Sequence, residues 1–250
     1  RYFAGMSYRN TRTGQQNVRT FLFYTEFNVD PNRTIQSVIL PAYNPNQGHI
    51  HVYSIATGQT GFYDNVGVSN DNGPLFGNYD GGGHSYSGQL LQNAGITFST
   101  ATSAHPFTIN GTSFKIMYGA GLFSDNWVAN GQAITVNNVA NASALAFLGS
   151  ATGGLSTGSG TIYYSDGTSQ AYTLTFSDWR SFNSASYNYI AASMPYLDTV
   201  YGRQNTKNYL YEVEVPLQAG KTVSSVQLPS PTTGWGLSLI HISEPTRQAE

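Results

Sequence analysis

MPYLDTVYGRQNTKNYLYEVEVPLQAGKTVSSVQLP, residues 194–229, reproduces MSYRNTRTGQQNVRTFLFYTEFNVDPNRTIQSVILP, residues 6–41, without a gap. Thirteen of the 36 aligned positions are identical at an offset of 188 residues, against about two by chance, which marks a tandem module. The substitutions keep a physical pattern. Phe21, Phe23, Thr25, Phe27 and Val29 alternate along one face, and Tyr209, Tyr211, Val213, Val215 and Leu217 do the same 188 residues later. Alternation with period two is the signature of a strand with one buried face.

Working outward, the match holds at Gly48 and Gly236 and then stops. HIHVYSIATG follows Gly48 and reads as a closing strand, whereas LSLIHISEPTRQAE follows Gly236. LSLIHISEPTR resembles the in-frame translation of a transposase sequencing adapter. The expected organisation is therefore residues 1–55 as the end of an upstream repeat and 56–236 as a second repeat lacking its last strand. Residues 237–250 are expected to be a non-native tail.

Between the repeated ends, turn chemistry predicts two hairpins. Asn110-Gly111 separates 107–109 from 114–116, and Asp166-Gly167 separates 162–164 from 172–176. Further short strands are expected near 34–40, 49–55, 132–137, 143–148 and 221–228. The expected fold is all-β, an antiparallel, jelly-roll-like sandwich. One short helix is expected near 86–94, capped by Ser87 and ended by Gly95, closing one end of the sandwich.

Composition narrows the function classes. Charged residues are 10% of the 250, and the formal charge is -2, which gives no electrostatic basis for binding nucleic acid. Cysteine is absent, so disulfides and thiol chemistry are excluded. No run of about 18 apolar residues exists, so no helical membrane span is expected. The wealth of Tyr, Gly, Ser, Thr and Asn suits an extracellular or cell-surface protein.

GNYDGGGHSYSG, residues 77–88, is the stretch most like an active site. A nucleophile turn needs Gly-x-Ser-x-Gly, but Ser87 stands where the second glycine belongs, and no acid lies between Ser85 and His105, the one later histidine outside the 237–250 tail. A phosphate loop fails too, because Gly88 is followed by Gln89. The segment is expected to be a rigid loop leading into the helix, and no catalytic residue is assigned.

Two other signals point to ligands. Phe123-Ser124-Asp125-Asn126-Trp127 and Phe176-Ser177-Asp178-Trp179 share a stem that sets an indole beside a carboxylate. Trp127 and Trp179 are candidates to stack on a sugar face while Asp125 and Asp178 bind its hydroxyls; a buried indole is the competing reading. Asp64, Asp71 and Asp80 lie among asparagines in one stretch rich in oxygen ligands, which suits calcium, with Asx-turns as the alternative.

The order YDNVGVSND, NYDGGGHSYSGQLLQNAGI, SDNWVANGQAITV, LAFLGSATGG, SDGTSQAYTLTFSDW and GRQNTKNYLYEVEVPL resembles an accessory β-sandwich module of large secreted bacterial glycoside hydrolases. The resemblance implies a non-catalytic fold of galactose-binding-like or other carbohydrate-binding type. Its implied partners are a glycan or cell-wall polysaccharide and neighbouring repeats of the same chain. A structural repeat of a surface adhesin or stalk is the alternative. The resemblance transfers no binding residue, and the absent closing strand after Gly236 is its main departure.

Overall fold

The computed structural model describes residues 2–23, 36–40, 63–73, 77–99, 105–117, 124–136, 142–231, 236–242 and 246–247. The chain divides into two compact units, Arg1–Thr60 and Gly61–Glu250, a few residues beyond the boundary expected at 55/56.

The first unit carries β1 (Tyr2–Met6), β2 (Arg9–Thr11), β3 (Gly14–Gln16) and β4 (Thr20–Phe23). β1 pairs antiparallel with β4, and β2 with β3.

The second unit opens with β5 (Val68–Ser69), β6 (His84–Ser87), α1 (Gly88–Asn93), β7 (Phe98–Ser99), β8 (Phe107–Ile109) and β9 (Thr112–Phe114). β10 (Ile116–Met117), β11 (Trp127–Val128), β12 (Ala133–Thr135), β13 (Ala142–Thr152), β14 (Ser156–Tyr164) and β15 (Ser169–Phe176) follow. β16 (Tyr189–Met194), β17 (Leu197–Thr199), β18 (Gly202–Gln204), β19 (Asn208–Pro216), β20 (Val223–Pro231), β21 (Gly236–Ile242) and β22 (Thr246–Arg247) complete it.

The two aligned segments fold alike at the offset their sequences set. Gly5 faces Phe21 and Met6 faces Thr20 between β1 and β4; Ser193 faces Tyr209 and Met194 faces Asn208 between β16 and β19. Each ladder carries an irregularity at the same place, between Tyr2 and Ala4 and between Ile190 and Ala192. The β2–β3 and β17–β18 hairpins also share their register, Asn10 opposite Gln15 and Asp198 opposite Arg203. The likeness ends near 36–40, which form no strand and leave Ile39 92% exposed, while their counterparts lie in β20. β20 is held by β12 and β14, and the first unit has no such neighbours among its described residues. The strand expected near 49–55 lies outside the described residues.

The second unit is an all-β sandwich. One sheet runs β11-β21-β13-β19-β16, with β22 also on β13; the facing sheet runs β12-β20-β14-β15. Leu145 and Phe147 of β13, with Tyr211 and Val215 of β19, meet Ile162, Leu174, Phe176 and Val226 in the core between them. Burying each such side chain contributes about 1.5–3 kcal/mol. Tyr209, Val213 and Leu217 pack on the same core, so the alternating face expected of 209–217 is the inner face.

The opposite face of the first sheet is covered as well. Ala146 and Leu148 of β13 and Leu210 of β19 join Tyr79, Tyr86, Leu91, Phe107, Phe114 and Trp179 in a second core. Both faces of β13 are thus buried, which explains its apolar run LAFL. Ser87 caps α1 as expected, accepting from the Leu90 amide. The helix lies against this sheet face through Leu91 and does not close an end of the sandwich. No helix among the described residues is long and apolar enough to cross a membrane.

The expected hairpins form. Asn110 (φ 46°) and Gly111 (φ 86°) make the left-handed two-residue turn between β8 and β9. At Asp166-Gly167 only the glycine is left-handed (φ 84°), and the Tyr164 amide closes a longer loop on the Thr168 carbonyl. The segment after Gly236, expected as an extraneous tail, pairs in β21 with both β13 and β11. Backbone pairing is indifferent to side-chain identity, so a seven-residue extended stretch satisfies the open edge of β13.

Candidate functional site

Backbone demands shape the 77–88 loop. A Cβ on Gly77 would lie 2.2 Å from the Cβ of Ser85, so only glycine lets the loop approach β6 here. Gly81 and Gly83 hold φ of 76° and 81°. Asp80 Oδ1 accepts from the amides of Gly82 (2.9 Å) and His84 (3.3 Å), and Asn78 Oδ1 accepts from Gly83 (2.7 Å). The loop is locked by its own side chains.

Its aromatic residues belong to the second core. Tyr79 and Tyr86, 2% and 0% exposed, bring their hydroxyls to Ser150 Oγ at 2.8 and 3.0 Å, and Tyr86 also donates to the Tyr209 carbonyl at 2.7 Å. Burial pushes both phenols well above their ordinary pKa. The Trp179 ring sits 5.3 Å from Tyr79 and 5.2 Å from Tyr86. Ser85 is buried 2.5 Å from Ser69 Oγ and presents no hydroxyl to solvent.

Beside this loop Asp80, Thr152, Gly153, Asp178, Trp179 and Arg180 line an open depression of about 260 Å³. Arg180 Nη2 donates to Asp80 Oδ2 at 2.9 Å, and its guanidinium lies 5.0 Å from the Trp179 ring centre. His84 Nδ1 stands 2.9 Å from the same carboxylate oxygen, without the alignment of a hydrogen bond. Asp178 accepts from the amides of Arg180 and Gly154, both at 2.7 Å. The depression offers guanidinium donors and carboxylate acceptors, a set suited to a small polyhydroxylated group.

The sequence-based assignments meet this geometry unevenly. Trp179 is 1% exposed and Trp127 7%, the latter with the Tyr63 ring tilted against it at 4.3 Å, so neither indole has a free face for a sugar. Stacking by these two residues is corrected to packing, because each closes a core. Asp125 is buried and holds the amides of Gly67 (2.7 Å) and Val68 (3.1 Å); burial raises its carboxyl to about 8, with those amides pulling the other way. Asp178 and Trp179 do reach the depression, and Asp80 joins them there.

The three candidate calcium ligands do not meet. Asp64 accepts from Val128 N (2.8 Å) and Gln132 Nε2 (3.2 Å). Asp71 binds Ser87, Tyr196 and Arg203, and Asp80 binds Arg180. No group of three or more His, Cys, Asp or Glu able to hold a metal forms among the described residues.

Three charged residues to which the sequence assigned no role become prominent in the structure. Arg180 directly follows Trp179, and its rarity in a chain with 11 Lys and Arg was the available signal. Asp198 is buried, accepting from Ser69 Oγ at 3.1 Å, and burial with the nearby Asp71 charge raises it to about 6. Glu212 lies on the face of β19 assumed to meet solvent. No protein-family model matches the chain, and no curated protein matches it.

Proposed function

We propose that the chain carries consecutive copies of a non-catalytic β-sandwich module of a larger extracellular protein, serving as an accessory domain. The observation that carries this reading is the shared register of β1–β4 with β16–β19 and of β2–β3 with β17–β18. Two segments of one chain with the same ladder, irregularity and hairpin are what duplication of a module leaves behind. The motif order from 63 to 217 supports placement beside a glycoside hydrolase. The repetition equally supports a stalk that spaces an adhesive domain from the cell. Sequencing the native gene on either side discriminates: a neighbouring catalytic domain is expected for the accessory role, many copies and an anchor for the stalk. A gene holding no further copy and no neighbouring domain overturns both.

Carbohydrate contact is a second reading, favoured by the convergence of Asp80, Asp178 and Arg180 on one depression. Glycan-array binding abolished by Arg180→Ala, with the melting temperature held, is the expected result. Binding that persists in this variant removes the depression from consideration.

A further inference from the structure

Glu212 sits in the middle of β19 with only 1% of its surface exposed, and its Oε1 has no hydrogen-bond partner. Glu214 follows two residues later, hence on the same face of the strand. The β8–β9 hairpin reaches this pair: Thr112 Oγ1 donates to Glu214 Oε1 at 2.9 Å, and the Asn110 side chain acts on Glu212 in the sense that favours its ionised form. Among the described strands, β8 and β9 pair only with each other. The hairpin is moored at its base by Phe107 and Phe114, stacked at 5.9 Å in the second core. Its tip is held by the Thr112–Glu214 hydrogen bond.

Other groups around Glu212 bring no compensating charge. Leu148 of β13 and Tyr189 of β16 stand opposite it in the ladders, and Ala146 stands opposite Glu214. Asn110 and Thr112 are neutral, and neither glutamate forms an ion pair among the described residues. A buried carboxylate without a counter-charge is costly, and a second one two residues away makes it costlier.

We propose that the tip of the β8–β9 hairpin is a pH-gated strap, latched over Glu212 while that carboxyl keeps its proton and released when the proton leaves. Burial first, and the Glu214 charge second, outweigh the opposite pull of Asn110 and raise Glu212 from 4.5 to about 7. The folded carboxyl therefore binds its proton more tightly than the unfolded one. The latch is at full strength below about 4.5 and is lost as pH rises through about 7. The aligned residue of the first copy is Tyr24, so the strand itself does not require a carboxyl here.

Hydrogen exchange of the 107–114 amides at pH 5 and pH 8.5, corrected for intrinsic exchange, tests the strap. The expected result is a loss of protection of about tenfold or more at the higher pH in the natural sequence. Glu212→Gln is expected to stay protected at both pH values. Glu214→Gln is expected to move the midpoint toward acid, because removing the like charge eases ionisation. Protection that ignores pH, or a Glu212→Gln variant that responds like the natural sequence, overturns the proposal. Should Glu212→Gln fail to fold, the carboxyl carbon titration of Glu212 in the natural sequence decides. A midpoint near 7 that tracks strap exchange supports the latch, and any other midpoint overturns it.

Discussion

Gly14 and Gly202 stand at equivalent places in two hairpins and hold the same backbone angle, φ 119° and 118°. In both, the threonine three residues earlier donates from Oγ1 to the glycine carbonyl, Thr11 at 2.7 Å and Thr199 at 2.9 Å. Two hairpins 188 residues apart thus reach one geometry by one set of interactions.

Open space surrounds both glycines, so a substitution there is felt through the backbone alone. Gly202→Ala is expected to cost ~1 kcal/mol, because L residues avoid this φ. Urea unfolding monitored by tryptophan fluorescence checks it. An unchanged midpoint would mean that the hairpin relaxes at no cost.

Gly160 responds to crowding. A Cβ there would sit 2.4 Å from the Gln227 carbonyl and 2.6 Å from the Tyr172 ring. Backbone cannot yield as a flexible side chain does, so Gly160→Ala is expected to lose ~3 kcal/mol or to fail to fold. Comparing its melt with that of Gly81→Ala, where nothing lies within 4 Å, separates crowding from backbone strain.

Trp179 distinguishes packing from binding. Trp179→Ala should destabilise by about 3–5 kcal/mol through the cavity left between Tyr79 and Tyr86. A variant that melts like the natural sequence while losing a ligand would contradict the placement of the indole in the core.

Acidity should favour the folded state. Asp198, Glu212 and Asp125 are raised to about 6, 7 and 8, in each case chiefly by burial. Each binds its proton more tightly when folded, so stability is expected to fall as pH climbs from about 4 to about 8, then level off. Asp166 is lowered to about 2 by Thr168 and acts only between there and 3.8, outside that window. Melting temperatures from pH 5 to 9 test the trend. Asp198→Asn, which copies Asn10 at the aligned position, should flatten its lower part.

Features carried by local chemistry were legible in the sequence. Asn110-Gly111 dictates its own turn, Ser87 caps the next helix, and the alternation from Tyr209 to Leu217 identifies the inner face of β19. The second core was not legible in the same way. Tyr79, Tyr86, Ser150 and Trp179 meet across separations of up to 100 residues, and no local periodicity encodes such a meeting. Trp179 and Glu212 escaped for one reason: a single covered face was expected where the sheet is covered on both, whereas Trp127 is buried in the first core. The run from Leu145 to Leu148, apolar on consecutive positions, was the clue.

The sharing of β13 between two cores bears on how the module melts. Leu145 and Phe147 point one way, Ala146 and Leu148 the other, so peeling away either layer strips support from the remaining one. Heating Gly61–Glu250 should therefore give a single endotherm, with matching calorimetric and van't Hoff enthalpies.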